Sequence, residues 1–155
     1  MSEITLSWAE NKDLDRLVAL LHVMHGEVGR FPISMKKVTL KAATLLRKGR
    51  ILMASSEGQL LGSIGLEADE PWYSDASLIG DSWIFVRPDV PHRLTVFRAM
   101  VAEVKKYAQA VGLPLVLSLN TAKDTRRKGD LFARYGEEIM RAFEYVPVGG
   151  EYRVQ

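Results

Sequence analysis

Between residues 81 and 112 the spacing of the apolar side chains changes from the alternation of a strand to the three-and-four step of a helix, with two prolines at the change. Residues 82–86 form a short aromatic and β-branched run. Pro88 and Pro91 end it, because proline has no N–H for a sheet ladder and drives the preceding residue out of the helical region. Beyond them Leu94, Phe97, Val101, Val104, Ala108 and Val111 predict one apolar helix face, with Arg98, Glu103, Lys105, Lys106 and Gln109 opposite. Gly112 followed by Pro114 is its stop. A strand that delivers the chain to a helix N-terminus leaves backbone N–H groups unpaired beside the positive end of the helix dipole, which is a seat for a phosphate. Arg93 and Thr95 stand at that entrance.

The rest of the chain alternates between the same two periods. Residues 4–8 read as a strand, and Asn11 is placed to cap a helix with Leu14, Leu17, Val18, Leu21 and Met24 on one face. Gly26, Gly29 and Pro32 are its expected breakers. Ser34 is the expected cap of a second helix, with Val38, Ala42, Leu45 and Leu46 inward and Gly49 at its end. Residues 51–55 and 59–66 flank Ser56, Glu57 and Gly58 as an antiparallel hairpin. A strand at 77–86, the helix at 92–111, a strand at 115–119, a helix at 126–135 and a strand at 139–146 complete the order β-α-α-β-β-β-α-β-α-β. Hairpin connections giving way to helical crossovers imply an α/β fold with a mixed, mostly antiparallel sheet and helices on both faces. Residues 1–147 are expected to form its single domain and residues 148–155 a C-terminal tail. Alternation along the strand at 77–86 puts Trp83 and Phe85 on one face and Ser82, Ile84 and Val86 on the other.

Composition removes several functions. Lys and Arg number 21 against 19 Asp and Glu, too even a balance for nucleic acid to be the default partner, although Lys123, Arg126, Arg127 and Lys128 make a local basic run. The absence of cysteine excludes disulfides, thiolate zinc sites and a cysteine nucleophile. His22 and His25 lie close to Glu27, but no third ligand has suitable spacing, so no metal site is expected. The N-terminal ten residues lack the basic and apolar stretches of a signal peptide, and no apolar run has the length of a membrane span. The reading is a cytoplasmic protein without a membrane partner.

The run Trp83-Ile84-Phe85-Val86-Arg87-Pro88-Asp89 resembles the aromatic, Val-x-Pro end of the fourth strand in the GNAT superfamily of N-acetyltransferases. Gly112-Leu113-Pro114-Leu115 resembles that family's link into its fifth strand, and residues 128–136, KGDLFARYG, its later leucine-and-tyrosine segment. The resemblance spans nearly the whole chain. It implies acetyl-coenzyme A as cofactor, with the backbone of Ile84, Phe85 and Val86 against the pantetheine arm. It also implies a pyrophosphate cradle over Arg93, Leu94, Thr95, Val96, Phe97 and Arg98. Where the family has two glycines in that cradle, this chain has Val96 and Arg98. Asn120 resembles the family's cofactor-contacting asparagine, and Arg127 or Lys123 takes the ribose 3′-phosphate. The family's tyrosine, which protonates the departing thiolate, falls on Phe132, which has no proton to give. Tyr135, about one helical turn on, is placed either to substitute for it or simply to pack.

Such chemistry acetylates a primary amine by direct attack in a ternary complex, so the amine, with a reference pKa near 10.4, must first lose a proton. Asp81 is the first candidate base and Glu67 the second. A strand N–H near Phe85 or Val86 is the expected partner of the charge that develops on the thioester oxygen. The acceptor, a small molecule or a protein amine, is expected between the loops at 26–34 and 67–75. There Trp72 and Tyr73 offer a wall, and Glu67, Asp69, Glu70 and Asp75 attract a cation. The resemblance also admits a homodimer. Two other readings compete: a protein of the same fold that binds the cofactor without turnover, serving as a binding or regulatory module, and a nucleic-acid-associated protein using the basic run.

Overall fold

A computed structural model describes residues 2–118, 125–134 and 136. In chain order it contains β1 (Thr5–Trp8), a 3-10 turn (Asn11–Asp13), α1 (Leu14–Val28), α2 (Met35–Arg47), β2 (Ile51–Ser56), β3 (Gln59–Asp69), β4 (Leu78–Val86), α3 (Arg93–Val111), β5 (Leu115–Val116) and α4 (Thr125–Phe132). The expected order is present through α4; the strand expected at 139–146 lies outside the described residues.

The five strands form one sheet in the order β1-β2-β3-β4-β5, antiparallel except for the parallel pair β4 and β5. Its two faces carry separate cores. Ile51 and Met53 of β2 meet Leu17, Leu20 and Leu21 of α1 and Ala42, Leu45 and Leu46 of α2, with Trp83 and Phe85 on the same side. The alternate residues Leu52 and Ala54 meet Val96, Met100 and Val104 of α3, with Ile64, Leu66 and Ile79. Successive strand side chains point to opposite faces, so this division follows from strands buried on both sides, residues 51–54 of β2 and 60–66 of β3. Full burial of each such side chain stabilises the fold by roughly 1.5–3 kcal/mol before the conformational cost is subtracted.

Local chemistry sets the ends of these elements. The Ser34 hydroxyl accepts the Lys37 N–H at the start of α2. Glu57 and Gly58 both take positive φ, 51° and 78°, which is the turn geometry that matches the right-handed twist of a two-residue hairpin. Gly112 ends α3 at φ 73° and donates to the carbonyls of Ala108 and Gln109.

Three expectations are corrected. Asn11 does not cap α1: the chain first makes a 3-10 turn in which the buried Asp13 accepts the Glu10 N–H at 2.8 Å and pairs with Arg16. Gly26 does not break α1, which continues to Val28 and stops at Gly29. On α3 the inward stripe is centred on Val96, Met100 and Val104, leaving Leu94 and Val111 more than 40% exposed. Two overlapping apolar series share Val101, Val104 and Ala108, and packing on the sheet adds Val96 and Met100, which periodicity alone did not single out.

Candidate functional site

The site begins at an irregularity in β4. Trp83 pairs with Gly65 and Asp81 with Leu66, so one step on β3 spans two on β4 and Ser82 is the extra residue of a β-bulge. The bulge reverses the alternation below it. Ser82 consequently shares a cavity with Trp83, instead of facing away from it as strict alternation required. Gly65 makes room for this arrangement, since a Cβ there would stand 2.6 Å from the Trp83 ring. The indole N–H is fixed from the other side by the buried Ser63 hydroxyl at 3.2 Å.

Next to the bulge the sheet opens. Among the described residues β4 and β5 pair only at Ile79 with Leu115 and Gly80 with Val116. At the next position the Asp81 carboxylate, rather than its backbone, reaches across: it accepts the Ser118 N–H at 2.6 Å and the Ser118 hydroxyl at 3.3 Å. Burial raises the Asp81 pKa above its ordinary value, and the two Ser118 hydrogen bonds oppose that rise. Among the described residues, the edge of β4 beyond Asp81 has no strand beside it. Ile84 is half-buried there, while Phe85 and Val86 are buried.

That open edge runs to the head of α3. His92 precedes the helix in the left-handed region, φ 57°, a strained conformation for a residue with a side chain. Its carbonyl accepts the N–H of Thr95 at 2.8 Å and of Val96 at 3.3 Å. The N–H groups of Arg93 and Leu94 have no hydrogen-bond partner among the described residues, and no acidic side chain occupies the first turn. The Arg93 guanidinium turns back to the Val86 carbonyl at 2.7 Å and ties the helix start to the strand end. Val96 and Arg98, which stand where glycines were expected, diverge: Val96 is 1% exposed in the α3 core and Arg98 is exposed. Phe97 makes an edge contact with Phe132 of α4, ring centroids 5.3 Å apart. Arg127 is exposed on α4, whereas Asn120, Lys123 and Tyr135 lie outside the described residues.

On the other face a cavity of about 370 Å³ lies between α1, α2 and β4. Leu21, Met24, Val28, Ile33, Val38 and Trp83 give it apolar walls; His25, Arg30, Lys37, Lys41 and Ser82 supply its polar lining. His25 Nε2 lies 2.6 Å from the Phe31 carbonyl and closes the end of α1 onto the following loop. Behind the lining, Glu67 accepts from Lys41 Nζ at 2.6 Å and from the Ser82 hydroxyl in a short hydrogen bond. The Lys41 contact, then the Ser82 contact, hold the Glu67 pKa below the usual carboxylate range. Trp72 and Tyr73 stand outside this cavity, 95% and 75% exposed, with their rings edge to face at 5.6 Å.

The structure thus places Ser82 in the cavity lining with Glu67 behind it, and Ile84, Phe85, Val86, Arg93, Leu94 and Thr95 along the open edge. Asp81 stands between the two as a tie across the opening. Sequence reasoning missed Ser82, Lys41, Lys37 and Ser118. The bulge that brings Ser82 into the cavity leaves no trace in the alternation pattern. Its sole signal is Gly65, whose missing Cβ lets Trp83 lie across β3.

No family model matches the chain, and no curated protein matches its sequence. Its structure is similar to that of aminoglycoside N-acetyltransferase AAC(6')-Iy in complex with CoA, with TM-score 0.71 at 16% identity over 95% of this chain and 96% of that one. A predicted acetyltransferase with acetyl-CoA from Clostridium acetobutylicum gives TM-score 0.71 at 14% identity over 97% and 100% of the two chains. Ribosomal-protein-alanine N-acetyltransferase from Brucella melitensis biovar Abortus 2308 gives 0.69 at 16% over 94% and 99%. This chain has the fold of the GNAT N-acetyltransferases.

Proposed function

We propose that the protein transfers an acetyl group from acetyl-coenzyme A to an amine held in the cavity between α1, α2 and β4. One observation carries this reading: among the described residues, the open edge of β4 leads to two N–H groups without a partner, those of Arg93 and Leu94, at the head of α3. The donor set fits an acyl-coenzyme A, because an extended edge suits an amide-bearing arm and paired N–H groups at a helix start suit a diphosphate. The shared fold with proteins solved in complex with CoA and acetyl-CoA supports it. When bound, acetyl-coenzyme A supplies a thioester carbonyl for the amine nitrogen to attack, with cleavage of the carbon–sulfur bond.

The chain's own residues then have separate roles. Arg93 holds the strand end against the helix start and fixes the spacing between arm and diphosphate. Asp81 holds the opening between β4 and β5 at one width. Ser82 faces the cavity and donates to Glu67, so an ammonium in the cavity passes its proton to the Ser82 oxygen while the hydroxyl proton moves to Glu67. Glu67 is therefore the favoured base, with Asp81 the positioning group.

A second reading, cofactor binding without turnover, is favoured by Phe132, which meets Phe97 where a tyrosine was expected. A thiol near pKa 8.5 leaves as a thiolate without a donor at moderately alkaline pH, so this substitution slows transfer without forbidding it. Release of free thiol from acetyl-coenzyme A, followed with a panel of apolar, acidic and cationic amines, separates the two. Amine-dependent release supports transfer; tight binding with no release above the hydrolytic background supports the second reading.

A further inference from the structure

Glu67 follows the buried Leu66 on β3, and its carboxylate is divided between two other elements. Oε1 accepts from Lys41 Nζ of α2 at 2.6 Å, and Oε2 accepts from the Ser82 hydroxyl of β4. Three positions far apart in the chain, 41, 67 and 82, thus meet at one carboxylate. Lys41 reaches it from the edge of the α2 stripe that buries Ala42 and Leu45, and it lines the cavity on the way. The two side chains of the ion pair are 48% and 40% exposed, a setting in which such a pair adds little to stability. Its consequence is geometric. A glutamate at the rim of a sheet has several rotatable bonds and is free to turn toward water. Lys41 takes one oxygen and leaves the other for Ser82.

Building on the acetyl-transfer reading, we propose that Lys41 is a positioning residue for proton removal: by holding Oε1 of Glu67 it keeps Oε2 aimed at the Ser82 hydroxyl. The ammonium of the acceptor gives its proton to Ser82 Oγ while the hydroxyl proton passes to Glu67 Oε2. The freed nitrogen lone pair attacks the thioester carbonyl, the carbon–sulfur bond breaks, and coenzyme A leaves as the thiolate. Lys41 keeps its own protons throughout. It has two opposed effects on this relay. Its charge, together with that of Lys48, makes Glu67 a weaker base, and its contact holds Glu67 in line. Alignment is the larger effect, because a misplacement of about 1 Å costs on the order of a hundredfold in rate.

The test follows amine-dependent thiol release in the parent chain and in Lys41→Met, Lys41→Arg and Lys48→Met, with the ¹³C carboxyl signal of Glu67 titrated in each. Lys41→Met should lower kcat by about tenfold or more, with KM changed by less than about twofold. Lys41→Arg, which keeps a donor for Oε1, should recover most of the loss. Lys48→Met, which removes a second cation acting on Glu67 through space, should leave kcat within about twofold. Combined with Glu67→Gln, Lys41→Met should cost nothing more, and its melting temperature should stay within about 4 °C of the parent's. The Glu67 midpoint should rise in Lys41→Met.

An unchanged or raised kcat in Lys41→Met, an equal loss in Lys48→Met, a loss undiminished in the Glu67→Gln background, or a rise in KM at constant kcat overturns the inference. An unmoved Glu67 midpoint in Lys41→Met, in a parent that does transfer, overturns this inference alone. No amine-dependent release by the parent, with the midpoint still raised in Lys41→Met, overturns the transfer reading and with it this use of the contact.

Discussion

The Asp81 carboxylate accepts the Ser118 N–H at 2.6 Å, immediately beyond the last backbone pairing between β4 and β5. A side chain thus replaces the ladder at the point where the two strands part, and it keeps β5 from separating further. The same carboxylate is partly desolvated, which raises its pKa. Its bound proton is more stable in the folded chain than in the unfolded one.

The sign of the resulting pH dependence follows from that rise. The folded state holds the Asp81 proton more tightly, so the contribution is fully present below the ordinary Asp value of about 3.9 and is lost as pH rises through the higher folded value. Asp81→Asn keeps an acceptor for the Ser118 N–H and removes the titration. Denaturant unfolding between pH 4 and 7 should show a smaller decline with pH for this variant than for the parent, and equal or greater stability at pH 7. Asp81→Ala loses the tie and should cost about 1 kcal/mol. A steeper decline in Asp81→Asn contradicts the assignment.

Glu67 and Ser82 make a kinetic prediction. With its pKa lowered by Lys41 and Ser82, Glu67 stays ionised throughout the neutral range. The acid limb of kcat/KM should therefore report the amine and not Glu67. Ser82→Ala should lower kcat by tenfold to a thousandfold, and Glu67→Gln by a similar factor, with the double variant no worse than the more damaged single one. Additive losses, measured as kcat in the two singles and the double, would separate the residues into independent roles.

The bulge rests on Gly65. A methyl group there meets the Trp83 ring at 2.6 Å, and the indole cannot retreat without losing its bond to Ser63. Gly65→Ala should destabilise the fold by roughly 1–3 kcal/mol and shift the Trp83 fluorescence. Unchanged stability and emission would mean that the indole has somewhere else to go.

Much of this architecture was legible in the sequence, for identifiable reasons. The Glu57-Gly58 turn, the Ser34 cap and the Gly112 stop depend on neighbours in the chain, so local chemistry was enough. The change from a hairpin connection at 56–58 to helical crossovers announced a sheet covered on both faces. The α3 stripe was misplaced because its two apolar series are equivalent until the helix meets the sheet. The site was read less well than the fold, since its key residues meet across long separations: Asp81 with Ser118, Glu67 with Lys41, Gly65 with Trp83. Trp72, Tyr73 and their acidic neighbours suggested an acceptor wall, yet the cavity formed beside α1 and α2 with cationic lining.

The account depends above all on backbone amides at the β4 edge and the start of α3 receiving acetyl-coenzyme A. Titration of the ¹⁵N-labelled chain with coenzyme A, followed amide by amide, tests this directly. The amides of Ile84, Phe85 and Val86 and of Arg93, Leu94 and Thr95 should shift together and saturate at one affinity, with those around Trp72 unchanged. Saturable binding that leaves Arg93 and Leu94 unmoved, or no binding at all, would contradict it.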